Sequence, residues 1–387
     1  MAKAINIGVV GCGYWGPNLV RNFRSLPDCS LKLMCDVDVQ RLNHLRRLYP
    51  EVQGHTDYAH ILNGAGMDAI VIATAVRHHY PMAKASLLAG KHTLIEKPMA
   101  GSSRQCEELI ELARKKGCVL MVGHTFLYSP VVRKIKEIID QGDLGEIRDI
   151  SARRLNLGLF QKDINVAWDL APHDISIILY LMGESPRTVN CGGYAHVTPG
   201  VEDLTTTCLA FGNNRSAIIQ SSWLDPRKVR EMTIVGSKRM IVYDDVAQLE
   251  KLKVFDVRVE TPPHYDTFGE FHYAYHYGDI HVPYIKQEEP LKTECQHFLD
   301  CIKHGTTPLT SGQQGLELVR ILEASSASLK RNGAPVSLRP FRQEASSAKT
   351  GRPEVGAMRQ DPPLLPRRRA RLVVRNAANG LSRRTSR

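Results

Sequence analysis

The run Ala4 to Val10 is apolar and ends on Gly11-Cys12-Gly13-Tyr14-Trp15-Gly16, after which Pro17 to Ser25 carries helical spacing. No other stretch of the chain restricts the fold as tightly. A strand that passes through G-x-G-x-x-G into a helix needs Gly11 for the tight turn and Gly13 so that backbone can approach a pyrophosphate. Gly16 then lets helix and strand pack closely. The pattern alone is weak, but the strand before it and the helix after it are the context it requires. It predicts the opening of a doubly wound, parallel sheet.

The next hundred residues agree. Leu31 to Asp36, Asp68 to Thr74, Thr93 to Glu96 and Cys118 to Gly123 read as buried strands. Val39 to Leu48, Pro81 to Ala89 and Ser103 to Lys116 read as the helices between them, and Ser102 with Gln105 has the spacing of a capping box. Past Gly123 the texture changes. Pro130 to Gln141 and Ala171 to Met182 are helical, then short strands follow at Thr188 to Tyr194, Leu204 to Phe211, Ser216 to Trp223, Glu231 to Val235 and Met240 to Asp244. Turn signals such as Gly212-Asn213-Asn214 separate them, which implies an antiparallel sheet faced by helices. Two further helices are expected at Leu291 to Lys303 and Gly312 to Leu329.

The net charge of +11 raises the question of nucleic acid. Phe341 to Arg387 holds twelve Arg or Lys against three Asp or Glu, which leaves only +2 for the first 340 residues. The basicity therefore belongs to an Arg-, Pro- and Ser-rich tail without apolar periodicity, expected to be disordered. With no aromatic interleaving, nucleic-acid binding is not expected. No apolar run reaches membrane-span length, and Met1 to Val10 runs into the glycine turn without a cleavage site, so neither membrane span nor signal peptide is expected. Nine scattered cysteines without a C-x-x-C pair suit reduced thiols and a cytoplasmic location.

Asp36 ends the second strand twenty residues past Gly16, where a carboxylate accepts hydrogen bonds from an adenine-side ribose. It would repel the extra phosphate of NADP, so NAD is the expected cofactor and NADP the weaker candidate. Arg41 could soften that preference, but it falls inside the next helix. The expected contacts are Gly11, Gly13, Tyr14, Trp15, Gly16, Asp36, Thr74, Glu96 and Lys97. His79 follows the third strand, either beside the cofactor or in a helix start.

Glu96-Lys97-Pro98 leaves a strand at the carboxyl edge of the sheet, where doubly wound folds bind ligands. Proline forces Lys97 into an extended conformation that aims its ammonium at the cleft, where it could lower the pKa of a substrate hydroxyl. Asp169 and His173 are spaced i, i+4 at a helix start, with Pro172 in the tolerant first turn. Histidine is the natural base near neutral pH, and a nearby carboxylate can orient it. Taken singly, a surface lysine and a satisfied histidine are ordinary features.

Taken in order, the strand-GCGYWG-helix unit, Asp36, Ala73-Thr74, Gly90-Lys91-His92 before Glu96-Lys97-Pro98, and Trp168-Asp169-Leu170-Ala171-Pro172-His173-Asp174 resemble the Gfo/Idh/MocA oxidoreductases from about Ile5 to Leu329. Where many members have Thr-Pro, this chain has Thr74-Ala75, a change to the turn that leaves the cofactor contact in place. The resemblance implies a Rossmann domain over 1–124, an α+β substrate and oligomerisation domain with a mostly antiparallel open sheet over 125–340, and a tail over 341–387. It implies NAD(P)-dependent oxidation or reduction of sugars, inositols or nucleotide sugars, with Lys97, Asp169 and His173 catalytic. His124, Arg154 and Asn156 join them as candidate substrate contacts, and a homodimer or homotetramer is expected. GYWGPNLVRNF and AWDLAPHDIS look like members that oxidise C3 of a nucleotide-linked sugar. The alternatives are a keto-sugar reductase, a free sugar or inositol dehydrogenase, and a non-catalytic regulator. The stretch His264 to Tyr284 is rich in His and Tyr, and a loop over the cleft or a subunit contact is expected there in preference to a metal site.

Overall fold

The computed structural model describes residues 4–64, 66–161, 164–260 and 274–338. Strands β1 (Ile5–Val10), β2 (Cys29–Cys35), β3 (Gln53–His55), β4 (Ala69–Ile72), β5 (His92–Glu96) and β6 (Leu120–Gly123) form one sheet in the order β3-β2-β1-β4-β5-β6. Every pairing in it is parallel. The chain leaves β1 for one side and returns to its other side at β4, the switch point where such sheets bind ligands. Strand β4, Ala-Ile-Val-Ile, is buried at every residue, as a parallel strand covered on both faces must be. Helices α1 (Gly16–Ser25), α2 (Val39–Leu48), α3 (Tyr58–Asn63), α4 (Val76–Leu88) and α5 (Ser103–Lys116) connect the strands.

Two elements escape the sequence patterns: β3 and α3 have three and six residues, too few to show a period. Helix α4 starts five residues before the expected Pro81, which lies on its exposed side. There water can take the carbonyl that a proline leaves unpaired. The Ser102 hydroxyl caps α5 by accepting from Gln105 N–H at 3.3 Å, but Gln105 Oε1 reaches back to Gly101 N–H, so the box closes one residue early.

The second sheet has nine strands: β7 (Ile147–Leu157), β8 (Thr188–Tyr194), β9 (Leu204–Ala210), β10 (Ser216–Ser222), β11 (Leu224–Gly236), β12 (Met240–Asp244), β13 (Leu252–Glu260), β14 (Ala274–His281) and β15 (Val336–Ser337). Their order is β14-β13-β12-β11-β7-β10-β9-β8-β15, antiparallel except for β7 with β10. Strand β9 alternates Thr205, Thr207 and Leu209 inward with Thr206, Cys208 and Ala210 outward. That is the signature of a sheet with one covered face. Helices α6 (Pro130–Asp140) and α7 (Val166–Met182) lie on the covered face, where Ile175, Ile177, Ile178 and Leu181 meet Ile150, Ala152, Ala217, Ile219 and Ile234. Each such aliphatic side chain contributes about 1.5–3 kcal/mol by leaving water.

Two late helices tie the sheets together. Helix α8 (Pro290–His304) returns to α1, where Phe298 meets Phe23 edge to face at 6.4 Å. Helix α9 (Gly312–Leu329) gives Leu316 and Val319 to the core beneath β6 and Leu318, Ile321 and Leu322 to the core of the second sheet. The Trp168 indole N–H on α7 donates to Ser326 on α9 at 2.8 Å. The end of α7 that bears Asp169 is thereby held against the carboxyl edge of the first sheet.

The basic tail, with His264, Tyr265, His272 and Tyr273, lies outside the described residues. His276, on β14, binds Asp256 at 2.9 Å. Among the described residues there is no group of three His, Cys, Asp or Glu fit to hold a metal, and no helix long and apolar enough to cross a membrane.

Candidate active site

Backbone contacts leave no space for a side chain at Gly11 or Gly16, while Gly13 is open on the protein side. Gly11 has φ +94°, and a Cβ there would stand 2.5 Å from the Ala73 carbonyl; one on Gly16 would stand 1.9 Å from the Gly11 carbonyl. Asp36 props the turn from below. Its Oδ2 accepts the Cys12 N–H at 2.6 Å and its Oδ1 the Asp38 N–H at 2.8 Å. Trp15 occupies the N-cap of α1 and offers no side-chain cap; Pro17 has no N–H and the Asn18 N–H bonds the Trp15 carbonyl at 3.0 Å, so the Gly16 N–H is the one this helix start turns to an anion. Tyr14 is 89% exposed beside it. The Gly16 N–H at an uncapped helix start, a turn with glycine at 11, 13 and 16 and a carboxylate at the end of β2 are the donor and acceptor set that NAD requires. Gly16→Ala is expected to weaken NAD binding at least about tenfold without unfolding the protein, as calorimetry would show. An unchanged affinity would mean the turn does not hold the dinucleotide.

Next to this turn, the Lys97-Pro98 peptide is cis. His79 holds it in place, with Nδ1 2.8 Å from the Pro98 carbonyl and Nε2 2.9 Å from the Thr74 carbonyl. Both ring nitrogens face carbonyls, and the neutral ring that burial favours donates to one of them at a time. His79 joins the end of β4 to the turn that presents Lys97. Thr74 contributes this carbonyl, while its hydroxyl faces the Met82 sulfur at 3.8 Å.

Lys97 Nζ donates to the main-chain carbonyl of Asp169 at 3.0 Å. Burial lowers its pKa from the ordinary lysine value, and Asp169 and Glu96 oppose that shift. Burial likewise drives His173 well below 6.5, with help from Lys97, Arg154, Arg230 and His124. His173 is accordingly a neutral imidazole at physiological pH, and its Nδ1 has no protein partner. His124 follows β6 with both ring nitrogens buried and unpartnered, and burial beside Lys97 takes its pKa to about 3. A neutral ring with unused donor and acceptor beside Lys97 suits a bound polar ligand.

Two expectations about Asp169 need correction. Helix α7 begins at Val166, capped by Asn165 Oδ1 on the Trp168 N–H at 3.2 Å, so Pro172 sits inside it and not in its first turn. The proline costs the helix its bond to the Trp168 carbonyl and loosens the turn that offers Asp169 O to Lys97. The i, i+4 spacing also does not join Asp169 to His173. Asp169 Oδ2 accepts the indole N–H of Trp223 at 3.0 Å, and His173 Nδ1 has no partner.

Arg154 also differs from expectation. Its Nε and Nη2 make a buried bidentate pair with Asp174 at 2.8 and 2.9 Å, so most of its donors serve the protein. Its guanidinium lies 4.8 Å from the centre of the Phe126 ring, and that ring meets His173 edge-on at 5.0 Å. Across the β7–β11 pair, Arg230 stands directly opposite Arg154 and pairs with Asp245 at 3.3 Å. Asn156 lies two residues beyond Arg154 and so on the same face of β7. Trp223, Arg230 and Phe126 were not legible as site residues. An isolated tryptophan at a strand end was their only signal.

Behind Lys97 lies a buried carboxyl pair. Glu96 is raised by burial to about 7, against the pull of Lys97 and the Trp15 indole. Glu294, from α8, accepts from the Thr125 hydroxyl at 2.7 Å and is raised well above the carboxylate range by burial and by Glu96.

Residues 5–124 match the family model described as Oxidoreductase family, NAD-binding Rossmann fold, and residues 132–242 match the GFO/IDH/MocA C-terminal domain. Among curated proteins, the chain is 26% identical over 354 residues to the uncharacterized oxidoreductase YrbE of Bacillus subtilis, covering 87% of this chain and 98% of that protein. It is 24% identical over 349 residues to myo-inositol 2-dehydrogenase of Thermotoga maritima, covering 84% and 96%. With UDP-N-acetylglucosamine 3-dehydrogenase of Acidithiobacillus ferrooxidans it shares 31% identity over 183 residues, 46% of this chain and 56% of that protein. The solved structure of that last enzyme has the same fold, with a TM-score of 0.70 at 22% identity over 86% of this chain and 99% of the other. The cofactor is NAD, and the chain belongs to the Gfo/Idh/MocA family of sugar-acting oxidoreductases.

Proposed function

We propose that the protein oxidises C3 of a sugar carried on a nucleoside diphosphate. The observation that carries this reading is the meeting of Lys97, clamped by the Asp169 carbonyl, with a neutral His173 at the carboxyl edge of the NAD-binding sheet. The similarity to UDP-N-acetylglucosamine 3-dehydrogenase supports the choice of substrate. Bound NAD supplies the acceptor for the hydride that leaves the carbinol carbon. Lys97 donates an N–H to the reacting oxygen and stabilises the charge that grows on it as the O–H bond breaks. His173 accepts that proton at its imidazole while the carbon–oxygen double bond forms. His124 and Asn156 line the sugar side, and Asp36 holds the adenine-side ribose. The outward face of the second sheet, with Ile218, Val259, Tyr275 and Tyr277 exposed, is the surface on which a second copy would pack.

A panel of nucleotide sugars, free sugars and inositols, each offered with NAD and followed by NADH absorbance, tests the assignment. Turnover of a UDP-linked sugar is expected. Turnover of free sugars or inositol alone would move the protein to the alternative substrate class. In the same protein Asp36→Ala should narrow the preference for NAD over NADP, measured as a ratio of dissociation constants. A parent that binds NADP more tightly would contradict the role given to Asp36.

A further inference from the structure

Trp223 fills the single position between β10 and β11 and is 1% exposed. Its backbone is held on both sides: its N–H donates to the Asp203 carbonyl at 2.9 Å, and its carbonyl accepts the Gly158 N–H at 3.1 Å. Gly158 lies so close that a Cβ there would be 2.8 Å from Trp223 Cδ1, and the Phe160 ring packs at 5.4 Å. The indole is therefore locked, with its one polar atom on Asp169 Oδ2 at 3.0 Å. An indole N–H only donates, and its bond to a carboxylate is charge-assisted.

We propose that Trp223 is a positioning residue for the reaction: by holding the Asp169 carboxylate off His173, it keeps that negative charge on the residue whose carbonyl binds Lys97 and leaves His173 Nδ1 without a partner. This rests on the reading of Lys97 and His173 as the working groups. Around Lys97 stand Asp169 and His173 from α7, Glu96 from β5, His79 from α4, Arg154 from β7 and His124 beyond β6. Around His173 stand Lys97, Arg154, Arg230 and His124, all cationic or neutral. A released Asp169 would come within reach of His173, one turn along α7, while the neighbouring Asp174 stays paired with Arg154. Lys97 would then lose a countercharge and His173 would gain one.

The test uses the full chain with two variants. In Trp223→Phe the ring packing remains and the N–H is lost; in Asp169→Asn the carboxylate charge is lost and Trp223 stays. Lys97 is titrated directly, without substrate, by the pH dependence of its acylation with acetic anhydride, read by peptide mass spectrometry. Both variants are expected to shift its midpoint down by about one pH unit, a tenfold change in the protonation equilibrium. The double variant should add little to either single change. In turnover, Trp223→Phe should lower kcat with KM and NAD affinity unchanged. Its pH profile should narrow from both sides, as the Lys97 limb moves to lower pH and the His173 limb to higher pH. Trp223→His, which keeps a ring N–H, should recover part of the window. A folded Trp223→Phe protein with the parent's Lys97 midpoint and pH profile overturns the proposal. If Trp223→Phe does not fold, an unmoved Lys97 midpoint in Asp169→Asn overturns it instead. A moved midpoint together with full activity of Lys97→Ala would leave the clamp standing and defeat the functional reading alone.

Discussion

Lys97→Ala and His173→Ala are each expected to lower kcat by roughly 10²–10⁴-fold, the range for a positioned acid–base group. The two losses have different signatures. His173 lies on the substrate side, on α7, so its removal should leave NAD affinity at the parent value. Lys97 follows β5 at the carboxyl edge of the sheet that holds NAD, so its removal should alter both substrate and cofactor affinity somewhat. Because the two groups act on one proton, the double variant should fall far short of the product of the single losses. Steady-state kinetics on the true substrate with calorimetric NAD titration would check this. A folded Lys97→Ala protein with the parent's kcat would make the lysine a cofactor clamp, and the proton would leave by another route.

The second large effect is expected in acid. His79, His124 and His173 all have folded pKa values below the ordinary 6.5, because burial disfavours their charged forms. The unfolded chain takes up these three protons as pH falls below 6.5 and the folded chain does not, so each histidine removes stability on acidification. Glu96 and Glu294 act in the opposite sense. Their folded values are raised, so between about pH 4.5 and 7 the folded chain holds protons there that the unfolded chain has released. His55, His92 and His297 are lowered by burial as well, so the histidines outweigh the two glutamates and stability should fall as pH drops below about 6.5. His124, whose folded value is about 3, withholds its proton over most of that range and contributes about 1.4 kcal/mol per pH unit to the fall. Denaturant midpoints measured from pH 7 to 3.5 would show the decline, and His124→Gln should make it shallower. A slope that His124→Gln leaves unchanged would contradict the role given to this ring.

Much of the molecule was legible from sequence, for physical reasons. The first sheet announced itself because its strands are buried on both faces and its turn needs glycine at fixed positions. The antiparallel character of the second sheet followed from alternation and turn residues between Thr188 and Asp244. Its outer strand β13 lay outside the expected strands although Phe255, Val257 and Val259 alternate with Asp256, Arg258 and Glu260, and β14, exposed along nearly its whole length, has no covered face to signal it. Within the site, Lys97 could be placed from the end of its strand. The direction of the Asp169 side chain could not, since helical spacing fixes which residues share a face but not which neighbour a carboxylate chooses. Its chosen neighbour, Trp223, is 54 residues away, and Arg230 stands opposite Arg154 only through strand register. Arg154 looked like a substrate cation because its partner Asp174, immediately after His173, read as part of the helix motif and not as its counterion.

Helix α8 has a consequence for the order of events at the ribosome. Ile7, Leu19, Phe23 and Met121, from the N-terminal third of the chain, share their core with Leu291, Cys295, Phe298 and Leu299. Translation delivers the glycine turn and its strands first, but their apolar outer face stays uncovered until residue 299 has emerged. In a growing chain, the part that meets the dinucleotide is thus among the first made and among the last completed. For that interval, a nascent chain with exposed Leu19 and Phe23 presents to holding chaperones the same surface that α8 later covers.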